Sequence, residues 1–252
     1  MGVDAAVIWL RGFSLFAAMA LNGPAAAQSP EEAQAYVEAN LISIFYHELG
    51  HALIDVMALP VFGQEEDAAD TASILLIDAL FEEDTAQSIA RDAAFGFLDE
   101  AAATEGEEPL WWDVHGPDLQ RHYNLVCLFY GADPDLRADI AADLDLPQDR
   151  AESCAEEFDL ALASWGPVLD DITQNGGGAS LVFEDAGASP LQDVIATEVA
   201  ALNDLLTLPY PVTIRAEPCG EANAFYDPAD QTITMCLELE SHLFERAVQN
   251  IE

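Results

Sequence analysis

The segment Tyr46-His47-Glu48-Leu49-Gly50-His51 sets two histidines and an acid at the spacing HExxH. Residues four apart on a helix project from one face, so both imidazoles can reach a single Zn²⁺ while Glu48 stands beside them to act on a water. A hydrolytic zinc centre also needs a third protein ligand and an open position. The run Gly63 to Asp70 supplies candidates, because Glu66 and Asp70 are four apart and share one face of a following helix. Glu65 competes as a ligand, but the residue four beyond it is Ala69. Hydrolysis requires a donor for the developing oxyanion as well. His115, Tyr123 and Tyr226 are the candidates, with His115 first because it lies in a loop between helices. His122 and His242 read as surface residues, and Arg121 as a partner for some local acid.

These residues need elements to position them. Pro30 to Met57 reads as one helix, with Ser29 as N-cap, Pro30 at the first helical position, and Glu31 and Glu32 at the positive end. Pro60 and Gly63 end it. A second helix spans about Glu65 to Leu80, joined to the first by a short turn so that the two face each other, and a third, Thr85 to Ala103, is followed by the loop Thr104 to Pro109. Residues of about 110–170 form a helical lobe. A Gly/Ser-rich loop over 173–190 holds one short strand, Ser180 to Phe183, and a helix follows from Pro190 to Leu206. Val212-Thr213-Ile214 and Thr232-Ile233-Thr234-Met235 alternate, are β-branched, and predict a β-hairpin within about 210–240. The fold class is therefore α+β and mainly helical. It comprises an active-site helix pair, a helical lobe, and a small C-terminal hairpin or sheet, all in one domain over 28–252.

The first 27 residues read as a removable signal peptide. Arg11 precedes the apolar stretch Gly12 to Leu21, then come Asn22, Gly23 and Pro24, and Ala25-Ala26-Ala27 ahead of Gln28. The apolar run is too short for a comfortable membrane span, so no stable anchor is expected after cleavage. The place expected for the mature chain is periplasmic or extracellular. Four cysteines, Cys127, Cys154, Cys219 and Cys236, then read as two disulfides. Of the three pairings, the sequence-local one is favoured, Cys127 with Cys154 and Cys219 with Cys236. The 252 residues carry 47 Asp and Glu against 7 basic residues, all of them Arg, for a formal net charge of -40. Such a surface repels phosphate backbones and anionic lipid, which argues against nucleic acid as a partner.

HExxH followed on a later helix by Glu66-x-x-x-Asp70 resembles the gluzincin metallopeptidases. The resemblance implies Glu66 as third zinc ligand and Asp70 as the acid that orients a zinc-bound histidine. A narrower bacterial group of metallopeptidases, filed under a domain of unknown function, is similar over more of the chain. The shared stretches are His47 to Leu76, Asp113-Val114-His115 through Gln120-Arg121-His122-Tyr123-Asn124 to Tyr130-Gly131, and Cys219 to Glu238. That similarity implies a zinc peptidase acting on a peptide or protein, with no substrate specified. One departure matters. Gluzincins place a sheet before the HExxH helix, whereas only a short helical stretch precedes His47 here. The missing strands are therefore expected from the C-terminal hairpin Tyr226-Asp227-Pro228 to Cys236, packed beside the active-site helix.

Two other readings of the motif stay open at this point. One is an exported zinc-binding protein of zincin fold without peptidase activity. The other is an acidic structural or calcium-binding protein in which HExxH is coincidental.

Overall fold

The computed structural model describes residues 29–104, 106, 108–184 and 187–249; the signal peptide expected over 1–27 lies outside them. The first helix, α1 (Pro30–Val56), is capped by Ser29, whose hydroxyl accepts from the Glu32 amide, and Pro30 occupies its first turn. Its middle is covered on all sides. Around it pack α2 (Glu65–Leu80), α3 (Glu83–Ala103), α7 (Pro190–Leu205) and α8 (Glu238–Gln249). A helix buried all round is normally apolar all round. The polar residues Asn40, His47, Glu48 and His51 on α1 are therefore buried by position and must find partners on its neighbours.

The lobe expected over 110–170 consists of α4 (Asp118–Ala132), α5 (Ala138–Asp143) and α6 (Gln148–Thr173). The Cys127–Cys154 disulfide ties α4 to α6. Arg137, just ahead of α5, is 3% exposed. Its guanidinium reaches Asp78 of α2 at 2.6 Å and Glu83 of α3 at 2.8 Å, donates to the Phe129 carbonyl of α4, and stacks 3.8 Å from the Phe129 ring. One cation thus links three helices at this corner.

The sheet corrects one sequence expectation. Its four strands are β1 (Leu181–Glu184), β2 (Val212–Glu217), β3 (Ala224–Asp227) and β4 (Thr232–Cys236), in the order β1-β2-β4-β3. The segments at 212–214 and 232–235 are neighbours, but they run parallel, so they are not the two arms of a hairpin. The chain between them holds β3, which takes the antiparallel place beside β4 and makes the hairpin expected over Tyr226 to Cys236. Central β4 is buried along its whole length, which explains why its alternation of Thr with Ile and Met carries no outward face. Cys219–Cys236 fastens the exit of β2 to the end of β4, so both disulfides are the sequence-local pairs.

The hairpin lies against α1, as the expected rearranged order requires. Both β3 and β4 pack on that helix, and the Tyr226 hydroxyl of β3 donates to Asp55 Oδ2 at 2.7 Å, one turn beyond His51. Helix α8, which the sequence reading left unassigned, returns the chain over α1 through Leu239, Leu243 and Ala247. No helix among the described residues is long and apolar enough to cross a membrane.

Candidate metal centre

The approach of α2 to α1 is set by small residues. A Cβ placed on Gly50 would stand 3.0 Å from the Ala69 Cα and 3.2 Å from the Ala72 Cβ, so the helices touch almost backbone to backbone there. That closeness carries Glu66 to the histidines. His47 Nε2 and His51 Nε2 are 3.3 Å apart, and Glu66 Oε2 is 3.2 Å from each. These three side chains form the one group of metal-binding geometry among the described residues.

Each flank of the group is braced. His47 Nδ1 lies 2.7 Å from Asp70 Oδ1, and Arg121 of α4 clamps Asp70 with two bonds, Nε to Oδ2 at 2.8 Å and Nη2 to Oδ1 at 2.7 Å. The same guanidinium stacks 4.5 Å from the Phe97 ring. Burial would raise the Asp70 pKa, yet the bonds from Arg121 and His47 hold it well below the usual carboxylate range. Burial would likewise lower His47, but Asp70 and Glu66 push it up to about 9 before any metal is considered. On the other flank, His51 Nδ1 is 2.9 Å from Glu65 Oε1.

Glu48 is 6% exposed and lines the same cleft as His47. Burial raises its pKa, and His47 and His51 pull it back. A carboxyl so placed is a better proton acceptor than one in water. His115 enters from the loop before α4: its Nε2 is 2.9 Å from Glu66 Oε2, and Asp113 accepts from the His115 amide and lies 3.5 Å from its Nδ1. The bond from His115, followed by those from His47 and His51, drives the Glu66 carboxyl far below its ordinary pKa.

The other sequence candidates fall elsewhere. Tyr226 is committed to Asp55, and Tyr123 packs edge-on against His122, 4.9 Å between ring centroids. His122, read as a surface residue, is 1% exposed, its two nitrogens 2.9 and 3.2 Å from the carbonyls of Ala94 and Leu144. It is a strut between α3, α4 and the end of α5. His242 pairs with Glu100 at 2.7 Å and lines the far wall of the cleft. Sequence reasoning left Arg121 without a named acid and set Glu65 aside. The scarcity of cations was the available signal for Arg121, since in so acidic a chain a half-buried Arg has a strong pull toward a buried carboxylate.

The cleft encloses about 590 Å³ and is walled by α1, α2, α3 and α4 on one side and by Ala222, Asn223 and Ala224 with Leu239 and Leu243 on the other. A helix pair presenting two histidines and an acid to such a cleft defines a candidate metal centre open to a ligand. The sequence profile of a family described as "putative metallopeptidase" (DUF4344) matches residues 14–169 and 188–252, and the chain belongs to that family. No curated protein and no solved structure matches it.

Proposed function

We propose that the chain is a zinc-dependent peptidase of gluzincin type, with His47, His51 and Glu66 as the metal ligands and Glu48 as general base. The observation that carries this is the ligand triangle, with sides of 3.3, 3.2 and 3.2 Å. Bond lengths near 2.0–2.1 Å at a tetrahedral angle separate ligand atoms by about 3.3 Å. The three atoms therefore suit a small tetrahedral ion, and a set with two imidazole nitrogens lacks the all-oxygen donors that calcium takes. With nitrogen donors in two places of three, zinc is the ion the donor set favours.

A zinc ion held there supplies Lewis-acid chemistry, polarising the scissile carbonyl and acidifying water. The rest belongs to the chain. Glu48 takes the proton of the attacking water and hands it to the leaving amine. His115, braced by Asp113 and standing beside Glu66, would donate to the oxyanion. Asp70, itself fixed by Arg121, holds His47 Nδ1 and so leaves Nε2 free to ligate. The edge strand β3 has one sheet neighbour, β4, and its approach Ala222 to Ala224 lines the cleft. It offers the extended backbone of a peptide a strand to pair with. The two disulfides and the Arg11 to Ala27 pattern support an exported protein with a cleaved leader, working in the periplasm or outside the cell.

The test pairs metal analysis with turnover. Purified protein should hold one zinc per chain and cleave members of a broad peptide library. Glu48→Gln should keep the zinc and lose at least about a hundredfold in kcat. Wild-type turnover in that variant would overturn the assignment, and stoichiometric zinc without any cleavage would favour a non-peptidase zincin.

A further inference from the structure

The His51 ring is engaged on both nitrogens: Nδ1 by Glu65 Oε1 at 2.9 Å and Nε2 by Glu66 Oε2 at 3.2 Å. Glu65 and Glu66 are consecutive, so their side chains leave α2 about 100° apart around its axis. Both can meet His51 because the ring stands between them and offers one nitrogen to each. His47 is arranged in the same way, with Asp70 on Nδ1 and Glu66 toward Nε2. A neutral imidazole has one N–H to give. When Nδ1–H donates to a carboxylate, the Nε2 lone pair is left pointing at the position that the other two ligand atoms surround.

We propose that Glu65 is the positioning residue for His51, the counterpart of Asp70 for His47, so that a carboxylate fixes the tautomer and ring angle of each histidine ligand. The inference rests on the zinc reading above. The two braces differ in setting. Asp70 is clamped by Arg121, while the Glu65 side chain is 53% exposed. With its acid half exposed to water, this contact adds little to the stability of the fold, so its removal leaves α2 in place. Its work is orientation. The competing account of Glu65 is that of any acid in a first helical turn, which acts by charge on the helix end and has no bearing on the metal.

The two accounts separate in a zinc titration of the metal-free wild type, Glu65→Ala and Glu65→Gln against a competing chromophoric chelator. The same proteins are then loaded with Co²⁺ to record the visible ligand-field band. Glu65→Ala is expected to lose between tenfold and a hundredfold in zinc affinity and to shift or broaden the cobalt band. Glu65→Gln keeps an acceptor for Nδ1–H and should stay within about threefold of wild type, as loss of charge alone is not loss of the bond. All three metal-free proteins should melt within about 2 °C of one another, as expected where the acid of the pair is open to solvent. An alanine variant with wild-type affinity and band would overturn the inference, and so would a glutamine variant as weak as the alanine one. Wild type that takes up no zinc would instead overturn the metal-centre reading beneath it.

Discussion

Gly50→Ala should weaken the metal site far more than it weakens the fold. The added Cβ would sit 3.0 Å from the Ala69 Cα, 3.1 Å from the Ala69 carbonyl oxygen and 3.2 Å from the Ala72 Cβ. Comfortable contact is about 3.5–4.0 Å, so α2 must withdraw by roughly 0.5 Å. Overpacking of this size costs about 1–3 kcal/mol, and alanine returns about 1 kcal/mol by its better helix propensity. A net loss near 1 kcal/mol corresponds to about 2–4 °C in Tm for a chain of this length. The ligands respond differently. Glu66 is one turn before Ala69 on the helix that has to move, and ligand distances must hold to about 0.2 Å. Zinc affinity is therefore expected to fall by at least about tenfold while the metal-free protein stays folded. Calorimetry in the presence of a chelator gives the first quantity, and competition with a chromophoric chelator the second. A variant that binds zinc as wild type does, with Tm unchanged, would show that the close approach at Gly50 does not set the position of Glu66.

Other expectations concern the fold away from the ligands. Arg137→Met should cost toward the lower end of about 3–5 kcal/mol, because Asp78 and Glu83 lose their shared cation but keep some access to water; a chemical denaturation midpoint equal to wild type would contradict the bridging role. Removal from water by burial pushes the Asp92 pKa up from 3.8 to about 7, with Arg91 pulling the other way. Between those two values the folded state holds a proton that the unfolded chain has released, so stability is lost as pH rises through that window and is unaffected below it. Asp92→Asn removes the loss, and its Tm should exceed wild type at pH 8 by a margin at least about 2 °C wider than at pH 4. Equal margins at the two pH values would refute it.

Much of the site could be read from local pattern because it is locally encoded. Pro30, the HExxH spacing and the Glu66 to Asp70 interval all act within a single helix or across one short turn, where sequence distance and spatial distance nearly coincide. Misreadings came where they diverge. The parallel pairing of β2 with β4 depends on β3 occupying the antiparallel side, and nothing within either strand reports that choice. His122 looks like a surface polar residue until its partners, 28 and 22 positions away, are brought in. Glu65 was set aside for lacking a helical i+4 partner, when its partner is on the preceding helix.

The division of the cleft between distant parts of the chain has a consequence for the order in which the protein is made. The helices bearing His47, Glu48 and Glu66 leave the ribosome early, whereas the wall formed by Ala222 to Ala224 and by Leu239 and Leu243 arrives last. Until that wall docks, His47, Glu48 and Glu66 lack one side of their cleft and β3 is not beside them. If the proposed function holds, a nascent or translocating polypeptide would carry the candidate ligands before it has the groove that presents a substrate to them.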